Sequence, residues 1–89
     1  MNVEVSMLLS DPPEKERLDD MLSAAQSLAL APNGINVHAQ RDGKYHELIT
    51  RFSMKKSPQY KVIDQIFDAF KRKAENYPDY QDLSVCFPK

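Results

Sequence analysis

Residues 37–48 read VHAQRDGKYHEL and hold both histidines of the chain, His38 and His46, on either side of an Asp-Gly pair. Imidazole titrates near neutrality, so a histidine beside Glu47 could move protons or sense pH. Two histidines could also share a metal ion, and the lone Cys86 could act as a nucleophile with a histidine as its base. A basic group, Arg51, Lys55 and Lys56, could hold an anion or a nucleic-acid backbone, helped by the free N–H groups of a nearby helix start. Which of these chemistries is available depends on the elements that carry the residues.

The stretch NVEVSMLL alternates, with Val3, Val5, Met7 and Leu9 on one face, and predicts a half-buried strand. SDPPEKERLDD predicts a helix start, with Asp11 as cap, Pro12 in the first position and Glu14 three residues after the cap. Leu18, Met21, Leu22, Ala25, Leu28 and Ala29 follow at helical spacing, up to APNG, where Gly34 is expected to take a positive φ. INVHAQ and YHELITRFSM predict two strands joined by a tight Asp42-Gly43 turn of type I′. Ser57 and Pro58 are expected to open a second helix of ~18 residues, ~27 Å long at ~1.5 Å each. Tyr60, Ile63, Phe67, Phe70 and Ala74 line its apolar face, widened by Ile66, and LSVCFP ends the order as a strand with Leu83, Val85 and Phe87 inward. The order β-α-β-β-α-β predicts an α+β fold of ferredoxin-like architecture over residues 1–89. Its antiparallel sheet has spatial order 4-1-3-2, with both helices on one face. That fold hosts many unrelated functions.

The turn then positions the histidines. With Asp42 and Gly43 at its centre, Val37 falls opposite Leu48 and His38 opposite Glu47. Alternation sends His46 to the helix side and His38 to the open side. A metal site shared by the two is therefore not expected, and none is assigned. His38–Glu47 remains a candidate pair. Cys86, on the fourth strand, is three strand spacings (~14 Å) from the second, too far for a Cys–His dyad in one subunit. The KRK group, Lys71 to Lys73, falls at the same end as the acidic DPPEKE segment and is expected to be neutralised there, which leaves Arg51, Lys55 and Lys56, with Lys89, as the anion candidates.

The open face should display Leu8, His38, Tyr45, Glu47, Ile49 and Arg51 among polar neighbours. A central apolar patch of Leu8 and Ile49 resembles an interaction surface. Covering it would contribute ~1.5–3 kcal/mol per side chain. An RNA-recognition signature is missing from the third strand, since YHELITRFSM has no glycine and Tyr45 and Phe52 face opposite ways. No phosphate-binding glycine loop, zinc-protease helix or paired-cysteine motif occurs, and no cofactor is expected.

With 89 residues, 42% hydrophobic and 28% charged, the chain has the composition of one small folded domain. A net charge of −1 gives no general attraction to nucleic acid or anionic membranes. One cysteine cannot form an internal disulfide, and MNVEVSMLLSDPP lacks the basic and apolar blocks of an export signal. Both features point to a cytoplasmic location, with no membrane partner. The leading expectation is a small interaction or regulatory domain without catalysis, a homodimer through its open face. The alternatives are polyanion or nucleic-acid binding through Arg51, Lys55 and Lys56, and an enzyme built on His38 and Glu47.

Overall fold

A computed structural model describes residues 1–55 and 59–88, apart from the side chain of Pro32. Lys56, Ser57, Pro58 and Lys89, which carry the expected second-helix cap and part of the anion site, lie outside the described residues. The elements are β1 (Asn2–Leu9), α1 (Lys15–Gln26), β2 (Asn36–Asp42), β3 (Tyr45–Ser53), α2 (Tyr60–Ala74) and β4 (Tyr80–Cys86), with a short 3-10 turn at Pro32–Gly34 before β2. The sheet order is β2-β3-β1-β4, antiparallel throughout. This is the expected ferredoxin-like layout, read from the other edge.

The core follows from alternation on β1. Val3, Val5, Met7 and Leu9 are at most 1% exposed, while the residues between them are half-buried. Opposite them stand Phe52, Thr50, Leu48 and His46 of β3. Met21, Ala24 and Ala25 of α1 and Val62, Ile66, Phe70 and Ala74 of α2 close over this side, and Phe52 stacks on Phe70 with ring centroids 6.1 Å apart. α1 lies over β2 and β3, and α2 packs beside α1 and β4. Val62 lies on the buried stripe of α2, whereas Tyr60, expected there, is 88% exposed. It sits about 200° around the helix from Val62.

Both helices begin later than the capping residues suggest. α1 starts at Lys15 with Glu14 in the cap position and no side-chain cap bond. Asp11 and Pro12 each precede a proline, which disfavours the helical region for both, so the helix forms only after Pro13. Asp11 instead donates its backbone N–H to Asp79 Oδ2 at 3.3 Å. α2 starts at Tyr60 with Gln59 in the cap position and has 15 residues. Gly34 sits in the 3-10 turn without positive φ; the one glycine that needs it is Gly43, at φ +63°.

Asp79 ties one end of the molecule together. It is 6% exposed and receives both arms of the Arg17 guanidinium, Nη1 at 2.6 Å on Oδ2 and Nη2 on Oδ1. Its carbonyl accepts the backbone N–H of Ser10 at 3.0 Å and the Ser10 hydroxyl at 3.2 Å. The Arg17 guanidinium also lies 4.0 Å from the centre of the Tyr77 ring, and the Tyr77 hydroxyl donates to Asp20. That hydroxyl is pushed up to about 12 by its bond to the Asp20 carboxylate and by burial. The guanidinium, acting first through its hydrogen bonds, holds the Asp79 carboxyl below its ordinary value.

Two stability changes are expected. Asp79→Ala leaves the Arg17 charge unpaired in a mostly buried site and should cost roughly 3 kcal/mol in urea unfolding. Because Asp79 is depressed in the folded state, its contribution is fully present above the ordinary aspartate range. It is lost as pH falls through the lower folded value, so the difference between wild type and variant should shrink in that acidic window and hold constant at neutral pH. Thr50→Val should have the opposite sign: Thr50 is 1% exposed and its Oγ1 has no hydrogen-bond partner. An apolar replacement of the same shape should therefore stabilise by about 1 kcal/mol in the same assay.

Candidate functional site

The face of the sheet away from the helices is a grid set by the ladder registers. One row reads Cys86, Glu4, Arg51, Asn36 across all four strands; the next reads Ser84, Ser6, Ile49, His38; the third reads Asp82, Leu8, Glu47, Gln40. Tyr45 and Asp42 close the grid at the hairpin end, where Lys44 Nζ lies 5.3 Å from the centre of the Tyr45 ring.

The hairpin corrects one expectation. The turn is centred on Gly43 and Lys44, with Asp42 paired to Tyr45. A type I′ turn at Asp42-Gly43 would require positive φ at Asp42. With Gly43 first, as in a type II′ turn, only glycine takes the left-handed conformation, and no non-glycine residue has positive φ. Moving the turn centre by one residue moves every partner by two positions. His38 therefore faces Ile49, not Glu47, and Gln40 faces Glu47. A two-residue change preserves the alternation, so His38 stays on the open face and His46 on the helix side.

His38 and Glu47 consequently do not form a pair. Glu47 accepts the Ser6 hydroxyl at 2.7 Å and the Gln40 amide at 2.6 Å. His38 Nδ1 lies 3.1 Å from Asn36 Oδ1, so its hydrogen-bond neighbour is on its own strand and not Glu47. Among the described residues no group of three or more His, Cys, Asp and Glu side chains converges in a way that could hold a metal ion.

The strongest polar chain on this face runs across the first row. Arg51 Nε donates to Glu4 Oε1 at 3.0 Å and an Nη reaches the same oxygen at 2.9 Å. Cys86, on the edge strand, donates its thiol to Glu4 Oε2 at 3.2 Å. The bond to a carboxylate pushes the thiol up, and burial adds to it. Glu4 is held below its ordinary value, first by the Cys86 bond and then by Arg51. Arg51 is thus already matched to a carboxylate. Lys55 is exposed and lines a different depression, of about 460 Å³, with Leu28, Leu30 and Met54. The structure does not bring Arg51 and Lys55 to one pocket, and Lys56 lies outside the described residues.

The apolar centre also differs from expectation. Ile49 is 5% exposed yet lies outside the helix-side core. Its position in the middle of a central strand surrounds it with Ser6, His38, Glu47 and Arg51, and these cover it without a partner. Leu8 is half-buried and sits diagonally from it. What remains outward is charge. The grid holds four carboxylates, Glu4, Asp42, Glu47 and Asp82, against two cations, the Arg51 guanidinium and the Lys44 ammonium over Tyr45, a net of −2 with His38 counted as neutral.

No family model matches the chain, and no curated protein matches it. In fold it is similar to a solved structure, the de novo designed protein Foldit4, with 14% identity, a TM-score of 0.61 and coverage of 99% of this chain and 94% of that one. A likeness at that identity concerns architecture alone. No helix among the described residues is long and apolar enough to cross a membrane.

The thiol offers a direct check on the Cys86–Glu4–Arg51 chain. Removing the carboxylate charge with Glu4→Gln should let the Cys86 thiol fall toward its ordinary value. Its alkylation rate near pH 8 should rise several-fold, because the thiolate is the reacting form. An unchanged rate would mean that Glu4 does not hold the thiol.

Proposed function

We propose that the chain is a small interaction or regulatory domain of the cytoplasm that acts through its open sheet face, and that the partner bound there is cationic. The observation that carries this reading is the imbalance of four carboxylates to two cations, Arg51 and Lys44, on a face the helices leave uncovered. Glu47 is held by two neutral donors and Arg51 by Glu4, so the surface is ordered before a partner arrives. Pre-ordering reduces the entropy lost on binding. The free, exposed thiol of Cys86 fits a reducing compartment.

Size and charge set the strength and the kind of partner. Four strands at ~4.8 Å and seven residues at ~3.3 Å make a face of ~440 Å², or ~900 Å² counting both partners. That is at the low end for specific interfaces and fits a weak, reversible contact. Face-to-face self-association would set carboxylates against carboxylates, and the enclosed Ile49 would gain little from it. A partner bearing lysine or arginine meets neither cost.

Titration of the labelled protein with a ten-residue oligolysine peptide tests the reading. The expected result is amide shifts confined to the strands and centred on Glu47 and Asp82. The affinity should fall as salt rises and drop about tenfold in Glu47→Lys plus Asp82→Lys. Shifts on the helices instead, or none at low salt and millimolar peptide, would refute it.

A further inference from the structure

β2 is an edge strand, and the register tells which of its backbone groups are free. In a two-residue hairpin the closing pair, Asp42 and Tyr45, is a hydrogen-bonded pair, and such pairs recur at every second residue. Asn36, His38, Gln40 and Asp42 therefore spend their N–H and C=O groups on β3. The far end of β3 agrees: Met54 and Met1 exchange both backbone bonds, at 2.8 and 2.7 Å, so even-numbered β3 residues serve β1 and odd-numbered ones serve β2. The N–H and C=O groups of Val37, Ala39 and Arg41 point away from the sheet. Among the described residues no loop or cap backbone bond reaches them.

This edge is lightly protected, with Arg41 its one charged side chain on the helix side. It contains no proline and no lysine, and its seven pairs with β3 run without a bulge, whereas the β1–β4 ladder on the other side shifts register between Leu8 and Leu9. We propose that a second copy of this chain pairs with β2 edge to edge, antiparallel and centred on Ala39, to make one continuous eight-stranded sheet.

The two-fold register is chosen by the backbone. With Ala39 opposite Ala39 of the second copy, Val37 falls opposite Arg41, and all six free groups of each strand find partners. Shifting by two residues sets Val37 against the turn at Gly43 in one direction and sets Arg41 against Ile35, outside β2, in the other. Side chains agree with the centred register. Small alanines meet at the axis, His38 stands opposite Gln40, and Asp42 lies diagonal to His38 of the other copy, within reach of a carboxylate–imidazole contact. No like charges are opposed.

The helix layer fits as well. α1 lies over β2 and β3. If its axis runs midway between them, the two copies of α1 stand ~10 Å apart across the axis, an ordinary helix-packing distance. Arg17 and Asp20 turn one flank of α1 toward Asp79 and Tyr77. Leu22 lies on the opposite flank, the side of β2, and is half-buried and outside the core. In the proposed dimer that flank faces α1 of the second copy. The edge is distinct from the open face, so both can be occupied at once.

Sedimentation of the whole chain between about 10 µM and about 1 mM tests the pairing by mass action. The wild type should dimerise in that range, and its Val37, Ala39 and Arg41 amides should exchange more slowly as concentration rises. Ala39→Pro removes an outward N–H while leaving the β3 ladder intact, and Ala39→Lys sets two ammonium groups against each other at the axis. Each should weaken association at least about tenfold. Circular dichroism like that of the wild type, required of at least the exposed lysine variant, shows that the fold survives. A wild type that stays monomeric, or a dimer that Ala39→Lys leaves unchanged, overturns the proposal.

Discussion

The carboxylate of Asp79 is the only acidic group among the described residues that the fold buries, and the arrangement at one end of the molecule depends on how it is compensated. A buried charge is tolerable only if its lone pairs are filled by good donors. Here the donors come from separate parts of the chain: Arg17 from α1, the Asp11 backbone from the loop after β1, and the Asp79 carbonyl takes Ser10 in addition. Satisfying one residue therefore fixes three things together, namely where β1 ends, how α1 is rotated, and where the chain turns from α2 into β4. The rotation of α1 in turn decides that Met21 and Ala25 face the core and that Leu22 faces the β2 side.

The fold was legible in the sequence because it rests on periodicity, which survives local error. The alternation of Val3, Val5, Met7 and Leu9 fixes β1, and the spacing of Ile66, Phe70 and Ala74 fixes the buried side of α2, whatever happens at the ends. The ends themselves depend on competition between a few local preferences. At Asp11 the capping tendency of aspartate lost to the two prolines after it. The hairpin shows the same division. Alternation placed both histidines on the correct faces, while their partners followed from whether Asp42 or Lys44 shares the turn with Gly43, a choice worth about 1 kcal/mol. The clasp at Asp79 was not legible at all. Arg17 and Asp79 are 62 residues apart, and in sequence each resembles any solvated charge.

The open face shows why a residue list and a surface are different things. Read separately, Arg51 suggests an anion site, Ile49 an apolar patch, and His38 with Glu47 an acid–base pair. Each reading assumes that the side chain is free. In the grid Arg51 is held by Glu4, Ile49 is roofed by its neighbours, and Glu47 is held by Ser6 and Gln40. What survives this mutual cancellation is the excess of carboxylates, a property of the whole face that no single motif announces. Glu4 is central because its two oxygens serve different partners, the thiol of one edge strand and the guanidinium of a central strand. It couples three strands through one side chain.

β2 carries the two surfaces in alternating residues. Its even-numbered side chains, His38, Gln40 and Asp42, stand on the open face, and the backbone of those same residues is spent on β3. Its odd-numbered residues do the reverse: their side chains lie toward the helices and their backbone groups are free at the edge. A substitution such as Ala39→Lys therefore alters the edge without touching the open grid, and a change at Glu47 alters the grid without touching the edge. The two binding modes are separable because the pleat of a strand sends side chains and hydrogen bonds in perpendicular directions.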